Sequence, residues 1–256
     1  MKLNALKYTI LQGFLIAVVG LLNNTCSHIS TSFGKNTMRN NKLNLSHNHL
    51  TEIPDYVFNL TELRALNLHH NKIAEIPPEI SRLTKLEKLV LSRNNLTDIP
   101  NEITELKNLE YLSLKANSLT TLPKNIGRLK NLEVFRVSFN ELKSLPESIS
   151  DLDSLSHFYI DYNRLESLPE SIGDLHYLRE FVIGRNNLKS LPDSFYKLTK
   201  LIVLDLSYAG PLLEIKEEIC DLRNIETFII DLNTLNFSPR CIRIRASGFR
   251  YNLIIR

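Results

Sequence analysis

The sequence predicts an α/β repeat solenoid, a stack of short parallel strands joined by short helical turns. Three observations predict it. Asn48, Asn71, Asn94, Asn117, Asn140, Asn163 and Asn186 recur every 23 residues without a slip. Pro54, Pro77, Pro100, Pro123, Pro146, Pro169 and Pro192 keep the same beat six residues later. Around them stands one apolar frame, clearest over residues 63–85 and 86–108: L-x-x-L-x-L-x-x-N-x-L-x-x-I/L-P-x-x-I-x-x-L-x-x. A fixed period of this length marks stacked units, each of which needs its neighbours to bury its apolar face.

Composition agrees and narrows the function. Of 256 residues, 43% are hydrophobic and 23% charged, which excludes a wholly disordered or fibrous chain. Three cysteines are too few for a disulfide-scaffolded mini-protein or a multi-cysteine zinc module. The net charge of +3 hides an uneven distribution, because no acidic residue precedes Glu52 or follows Asp231. Ten of the 31 basic residues lie at the two ends, leaving 21 against 28 acidic residues in the body. An acidic body of this kind is not expected to bind nucleic acid.

Residues 1–26 read as an export signal. Lys2 and Lys7 form a positive start, and Ile10 to Leu22 is an apolar run broken only by Gln12 and two glycines. A bilayer core of ~30 Å needs roughly 20 helical residues, so this run is short for a permanent span and suits a signal peptide. An uncleaved anchor helix is the competing reading. Cys26 follows closely and resembles the lipobox cysteine of bacterial lipoproteins, which is diacylated and anchors the mature chain to the membrane. Thr25 departs from the usual small residue before that cysteine. Cleavage after Ser27 remains the alternative, and both routes export the protein. If Cys26 is acylated, Cys220 and Cys241 remain as an even pair, either a disulfide or two buried thiols. Residues 27–39 read as a linker.

The repeats begin near Asn40. In Leu66-Asn67-Leu68 the alternation is that of a strand, with the leucines inward and Asn67 outward. The recurring asparagine marks an inward turn, where its amide can donate to and accept from backbone groups that no ladder satisfies. The proline fixes φ and ends the extended segment, before P-x-x-I-x-x-L packs back as a helical or 3₁₀ turn. This template resembles the leucine-rich repeat family over residues 40 to about 245. The resemblance implies a horseshoe with a parallel β-sheet on the concave face and short helical or 3₁₀ turns on the convex face. It further implies that partners bind the concave face.

One break interrupts the frame. Asparagine is due at 209, but the chain reads Leu206-Ser207-Tyr208-Ala209-Gly210-Pro211, with one residue inserted and Lys216 where proline is expected. The break at 209–216 reads as a tolerated kink, with a functional loop as the alternative. The frame resumes at Ile225, Phe228 and Ile230 and is expected to place Asn233 on the asparagine position, followed by Pro239 and Ile242. This makes nine repeats over 40–245. A closing strand over 246–256 is expected to put Tyr251 and Leu253 on the two inward positions. Ile242 and Ile244 alternate with Arg243 and Arg245, which reads as an edge guarded by arginines or as a basic patch for anionic lipid or polysaccharide.

Outward strand positions are polar in the first three repeats. From the fourth onward Tyr111, Val134, Arg136, Phe139, His157, Tyr159, Asp161, Tyr162, Val182 and Tyr208 converge on one surface, with Val203 and Asp205 beside them; Lys88, Lys115, Arg185 and Asp231 also stand at outward positions. Aromatic patches with a few charges are typical of protein-binding hot spots, although strand propensity also favours tyrosine and valine there. His47, His49, His69 and His70 cluster in the first two repeats, and His47 and His70 share a template position. No carboxylate joins them at a matching position, so no metal is expected. The chain has no G-x-S-x-G, H-E-x-x-H, Walker A or G-x-G-x-x-G sequence, so no catalytic residue and no cofactor are expected. The expectation is a monomeric, exported, non-enzymatic module that binds a protein partner. An enzyme inhibitor, or a carbohydrate-binding adhesion component of the surface, is the alternative.

Overall fold

The computed structural model describes residues 37–243 and 252–256. The export segment, Cys26 and the linker up to residue 36 lie outside the described residues. An eleven-stranded sheet runs in chain order from β1 to β11. Its parallel members are β2 (Lys42–Asn44), β3 (Ala65–Asn67), β4 (Lys88–Val90), β5 (Tyr111–Ser113) and β6 (Val134–Arg136), then β7 (His157–Tyr159), β8 (Glu180–Val182), β9 (Val203–Asp205), β10 (Thr227–Ile230) and β11 (Asn252–Ile255). From β2 to β9 every step in register is 23 residues, as in Leu43↔Leu66 and Leu89↔Leu112. The solenoid and its parallel sheet therefore stand as the sequence predicts.

Eight short 3₁₀ turns, Asp55–Asn59 through Glu217–Asp221, return the chain from one strand to the next. Pro54, Pro77, Pro100, Pro146 and Pro192 precede five of them in extended conformation, with φ between −61° and −71°. That is the angle the pyrrolidine ring imposes. The apolar residue three places after each of these prolines (Val57, Ile80, Ile103, Ile149 and Phe195) is fully buried against the inward leucines. In the middle of the stack phenylalanine replaces the first inward leucine. Phe135, Phe158 and Phe181 lie nearly parallel with ring centroids 5.6 and 5.5 Å apart.

The asparagines stitch adjacent repeats. The Asn163 amide donates to the carbonyls of Val137 (3.1 Å) and Ile160 (3.0 Å) and accepts from the Leu142 N–H (3.0 Å). Asn94, Asn117, Asn140 and Asn186 repeat the pattern. Each interior carbonyl in this row is consequently held by two amides. Ile160 O, for example, accepts from both Asn163 and Asn186.

At the break the backbone takes over the missing side chain's role. The Leu188 N–H, which an asparagine at 209 would receive, donates instead to the Ala209 carbonyl at 2.8 Å. Gly210 makes this approach feasible, since a Cβ there would stand 1.7 Å from Leu188 O. Residues 209–216 are therefore a kink that preserves the inter-repeat bond.

Both ends depart from the expected pattern. Thr37–Arg39, expected in the linker, form β1 and pair antiparallel with β2. Asn40 and Asn41, with φ of 49° and 58°, make the tight turn between them. Two consecutive positive φ values suit a hairpin turn, and asparagine tolerates them best after glycine. At the other end, the Asp231 carboxylate accepts from the Thr234 N–H (3.0 Å) and hydroxyl (2.8 Å) and starts a helix, α1 (Leu232–Phe237). Asn233 is thereby exposed on α1 rather than turned inward. Residues Arg240–Arg243 form a second helical turn, α2, so Ile242 and Arg243 are not an alternating strand. Leu253 lies opposite Phe228 and Ile255 opposite Ile230, so the final period is longer than 23 residues; Tyr251 lies outside the described residues. Cys220 and Cys241 are joined as a disulfide, Cα atoms 6.2 Å apart, tying α2 to the last 3₁₀ turn.

Candidate protein-interaction surface

The outward side chains of β4 to β9 and the turn residues just after them build the candidate surface. All ten predicted residues lie on it. Tyr111, Val134, Arg136, His157, Tyr159, Asp161 and Val182 are half-buried among their neighbours, whereas Phe139, Tyr162 and Tyr208 are 40%, 41% and 43% exposed. Asp205, expected beside them, is 5% exposed. It binds the Ser207 N–H and hydroxyl and pairs with Arg256, so it is structural.

The residue two places after each inward L-x-L sits in left-handed backbone. His47, His70, Arg93, Ala116, Phe139, Tyr162, Arg185 and Tyr208 have φ between 53° and 59°. Bulky side chains are uncommon in this region and cost on the order of 1 kcal/mol or more each, where glycine or asparagine would relieve the strain. From the fifth to the eighth repeat the chain nevertheless places Phe, Tyr, Arg and Tyr there. The four form one continuous row. Lys115 Nζ lies 5.0 Å from the Phe139 ring, Phe139 stacks on Tyr162 at 4.1 Å, and Arg185 bridges Tyr162 (4.9 Å) and Tyr208 (4.7 Å).

A second row runs beside it on the strands. Lys88 caps Tyr111 at 4.5 Å, and Arg136 lies between Tyr111 (5.9 Å) and Tyr159 (4.6 Å). Tyr159 donates its phenolic proton to Glu180. Burial and then the Glu180 carboxylate push the Tyr159 pKa up to about 12, against the pull of Arg136, so the phenol stays protonated and a donor. Arg136 Nε is buried and has no hydrogen-bond partner. Asp161 accepts from the Ser138 hydroxyl, yet burial raises its pKa above the ordinary carboxylate value, with the Asp205 charge adding a little.

Sequence reasoning nominated the rings and Arg136 but left out the other cations that order them. Lys88, Lys115 and Arg185 stood at outward positions, and a repeat spacing of 23 residues would have paired Lys88 with Tyr111 and Arg185 with Tyr208, whereas Lys115 meets Phe139 across 24. Asp231, expected among the outward positions, is a buried helix cap whose second oxygen also accepts from the Tyr208 N–H (2.8 Å). The histidines do stack, His47 on His70 at 4.6 Å with His69 edge-on. Burial lowers the His69 pKa first, followed by the charges of His47, Arg93 and His70. Among the described residues no group of three or more potential ligands is arranged to hold a metal ion. No described helix is long and apolar enough to cross a membrane.

These features define a parallel-stranded repeat protein that presents an open face of aromatic and charged side chains. A leucine-rich repeat model matches residues 39–96, and a leucine-rich repeat region model matches residues 101–167. The chain is a leucine-rich repeat protein. Solved structures agree. A leucine-rich repeat protein of Leptospira interrogans is 29% identical over 83% of this chain and 59% of its own, with a TM-score of 0.62. The functional domain of InlJ from Listeria monocytogenes is 25% identical over 75% and 39% of the two chains, with a TM-score of 0.63. The Arabidopsis receptor kinase HAESA, in complex with the peptide hormone IDA and the co-receptor SERK1, is 26% identical over 82% and 38%, with a TM-score of 0.67. This chain thus spans between 38% and 59% of the length of these three. The comparison with curated proteins returned no match.

Proposed function

We propose that this chain is a non-enzymatic interaction module that is exported to the cell surface or periplasm and holds a protein partner against its concave strand face. The observation that carries the reading is the ring-and-cation row from Lys115 to Tyr208. Large rings are kept in strained left-handed backbone and left open to solvent, which folding alone does not reward. Aromatic and arginine anchors are the side chains that dominate interface energies. The likeness to HAESA, whose structure holds a peptide hormone, supports a polypeptide as partner.

Export rests on residues 1–26 and is supported by the Cys220–Cys241 disulfide, a bond that persists in oxidising compartments. Diacylation of Cys26 would then hold the module at a membrane. Intact-mass analysis of the protein from its native membrane fraction checks this: a diacylglyceryl adduct on Cys26 is expected, and a chain starting at His28 refutes the anchor.

The binding reading is tested by affinity capture from surface extracts with the wild-type chain and with a Tyr159→Ser, Tyr162→Ser double variant. Loss of the captured protein by at least tenfold is expected, with an unchanged circular dichroism spectrum. Unchanged capture by the double variant overturns the assignment of the site, and binding on a glycan array with no captured protein overturns the class of partner.

A further inference from the structure

The charges on the strand face are arranged differently from those elsewhere. Outside the face, six basic side chains pair with carboxylates one repeat away: Arg64–Glu87, Lys85–Glu62, Arg128–Glu105, Lys130–Asp153, Arg164–Glu141 and Lys216–Asp193. On the face, Lys88, Lys115, Arg136 and Arg185 lie against rings, and among the described residues none of the four forms a carboxylate ion pair. The carboxylates of the same columns are engaged within the protein. Glu180 accepts from Tyr159 and Asp161 from Ser138, while Asp205 and Asp231 are buried. The body carries 21 basic and 28 acidic residues, yet on this face the four cations stand beside only two partly exposed carboxylates, Glu180 and Asp161, each already accepting a hydroxyl hydrogen bond.

Resting on the interaction reading above, the geometry points to the partner's chemistry: we infer that the face binds an extended acidic segment of a polypeptide, its carboxylates meeting Lys88, Lys115, Arg136 and Arg185. Cations held against rings lose part of their hydration without losing charge, so an incoming carboxylate gains more from them than from a free surface lysine. The rings favour the same ligand. Phe139 and Tyr162 stack face to face, so they present edges outward, and an aromatic edge carries the positive end of the ring quadrupole. A saccharide, which stacks on ring faces, finds those faces covered by a neighbouring ring or cation. From Lys115 to Tyr208 the row crosses four strand steps, roughly 19 Å at ~4.8 Å each, the span of about six extended residues at ~3.3 Å.

Panning a random peptide display library against the full chain, with the Lys115→Glu, Arg185→Glu variant and the Tyr159→Ser, Tyr162→Ser variant alongside, tests this. The expected result is enrichment of peptides rich in Asp and Glu. A fluorescent synthetic copy should lose at least tenfold in affinity on the charge-reversed variant, and should weaken steeply between low and physiological salt. Both replaced cations are on the exposed face, and circular dichroism confirms that the variant folds. Enriched peptides without acidic bias that still depend on Tyr159 and Tyr162 overturn the acidic-segment inference and leave the interaction reading standing. Failure to enrich any peptide, or enriched peptides indifferent to both variants, overturns both. Displacement of the peptide by a sulfated polysaccharide at lower concentration than by poly-glutamate also overturns it.

Discussion

Replacing Asn186 with alanine should destabilise the protein more than the same replacement at Asn163, although both side chains are buried and sit on the same template position. In Asn163→Ala the Leu142 N–H loses its only acceptor. The carbonyls of Val137 and Ile160 each keep a second amide, from Asn140 and Asn186. One orphaned buried donor costs about 1–3 kcal/mol. In Asn186→Ala the Leu165 N–H is orphaned in the same way, but so is the Ile183 carbonyl, because position 209 holds alanine and supplies no second amide. The additional acceptor adds about 1 kcal/mol. Equilibrium urea denaturation of the two variants, fitted with a common m-value, measures the difference. An Asn186→Ala variant no less stable than Asn163→Ala would refute the idea that shared carbonyls buffer the ladder.

Other outcomes follow from the break and the C-terminal end. Gly210→Ala should lower stability by about 2–4 kcal/mol, because its Cβ must displace the Leu188 carbonyl, and thermal unfolding reads the shift. Removing the disulfide with Cys220→Ser, Cys241→Ser should cost about 3 kcal/mol for a loop of this size and expose the α2 amides to hydrogen exchange. Burial alone would raise the Asp231 pKa, but bonds from Thr234 and Tyr208 hold it below the ordinary 3.8. Its stabilisation is therefore full above that value and is lost as pH falls through the lower folded value. Asp231→Asn should flatten that part of an acid-stability curve measured between about pH 5 and pH 2.

What the sequence made legible follows from how far each constraint reaches. A strand, an asparagine and a proline on a 23-residue beat depend only on the adjacent repeats, so the register from Leu43 to Leu204 could be extrapolated without error. The ends have a neighbour on one side only, and there extrapolation failed. Asn40-Asn41 closes a hairpin that the template does not contain, and Asp231 diverts the chain into α1 before Asn233 can turn inward. The surface was half legible. Alternation showed which residues face outward, but depth and pairing depend on side chains 21 to 51 residues away. Hence Asp205 and Asp231 were expected outside and are buried, and the cations that order Tyr111, Phe139 and Tyr162 were passed over.

The amide ladder has one more consequence, for the length of the molecule. Asn94 to Asn186 bond only within their own repeat and to the one before, and the special structures, the β1 hairpin and the disulfide-tied helices, are confined to the two ends. Whole 23-residue units can therefore be gained or lost between fixed ends, leaving every remaining bond of its original kind. Such a change would lengthen or shorten the row of rings and cations by one strand spacing at a time. The protein is graduated like a ruler, and the size of the partner it fits is set in steps of one repeat.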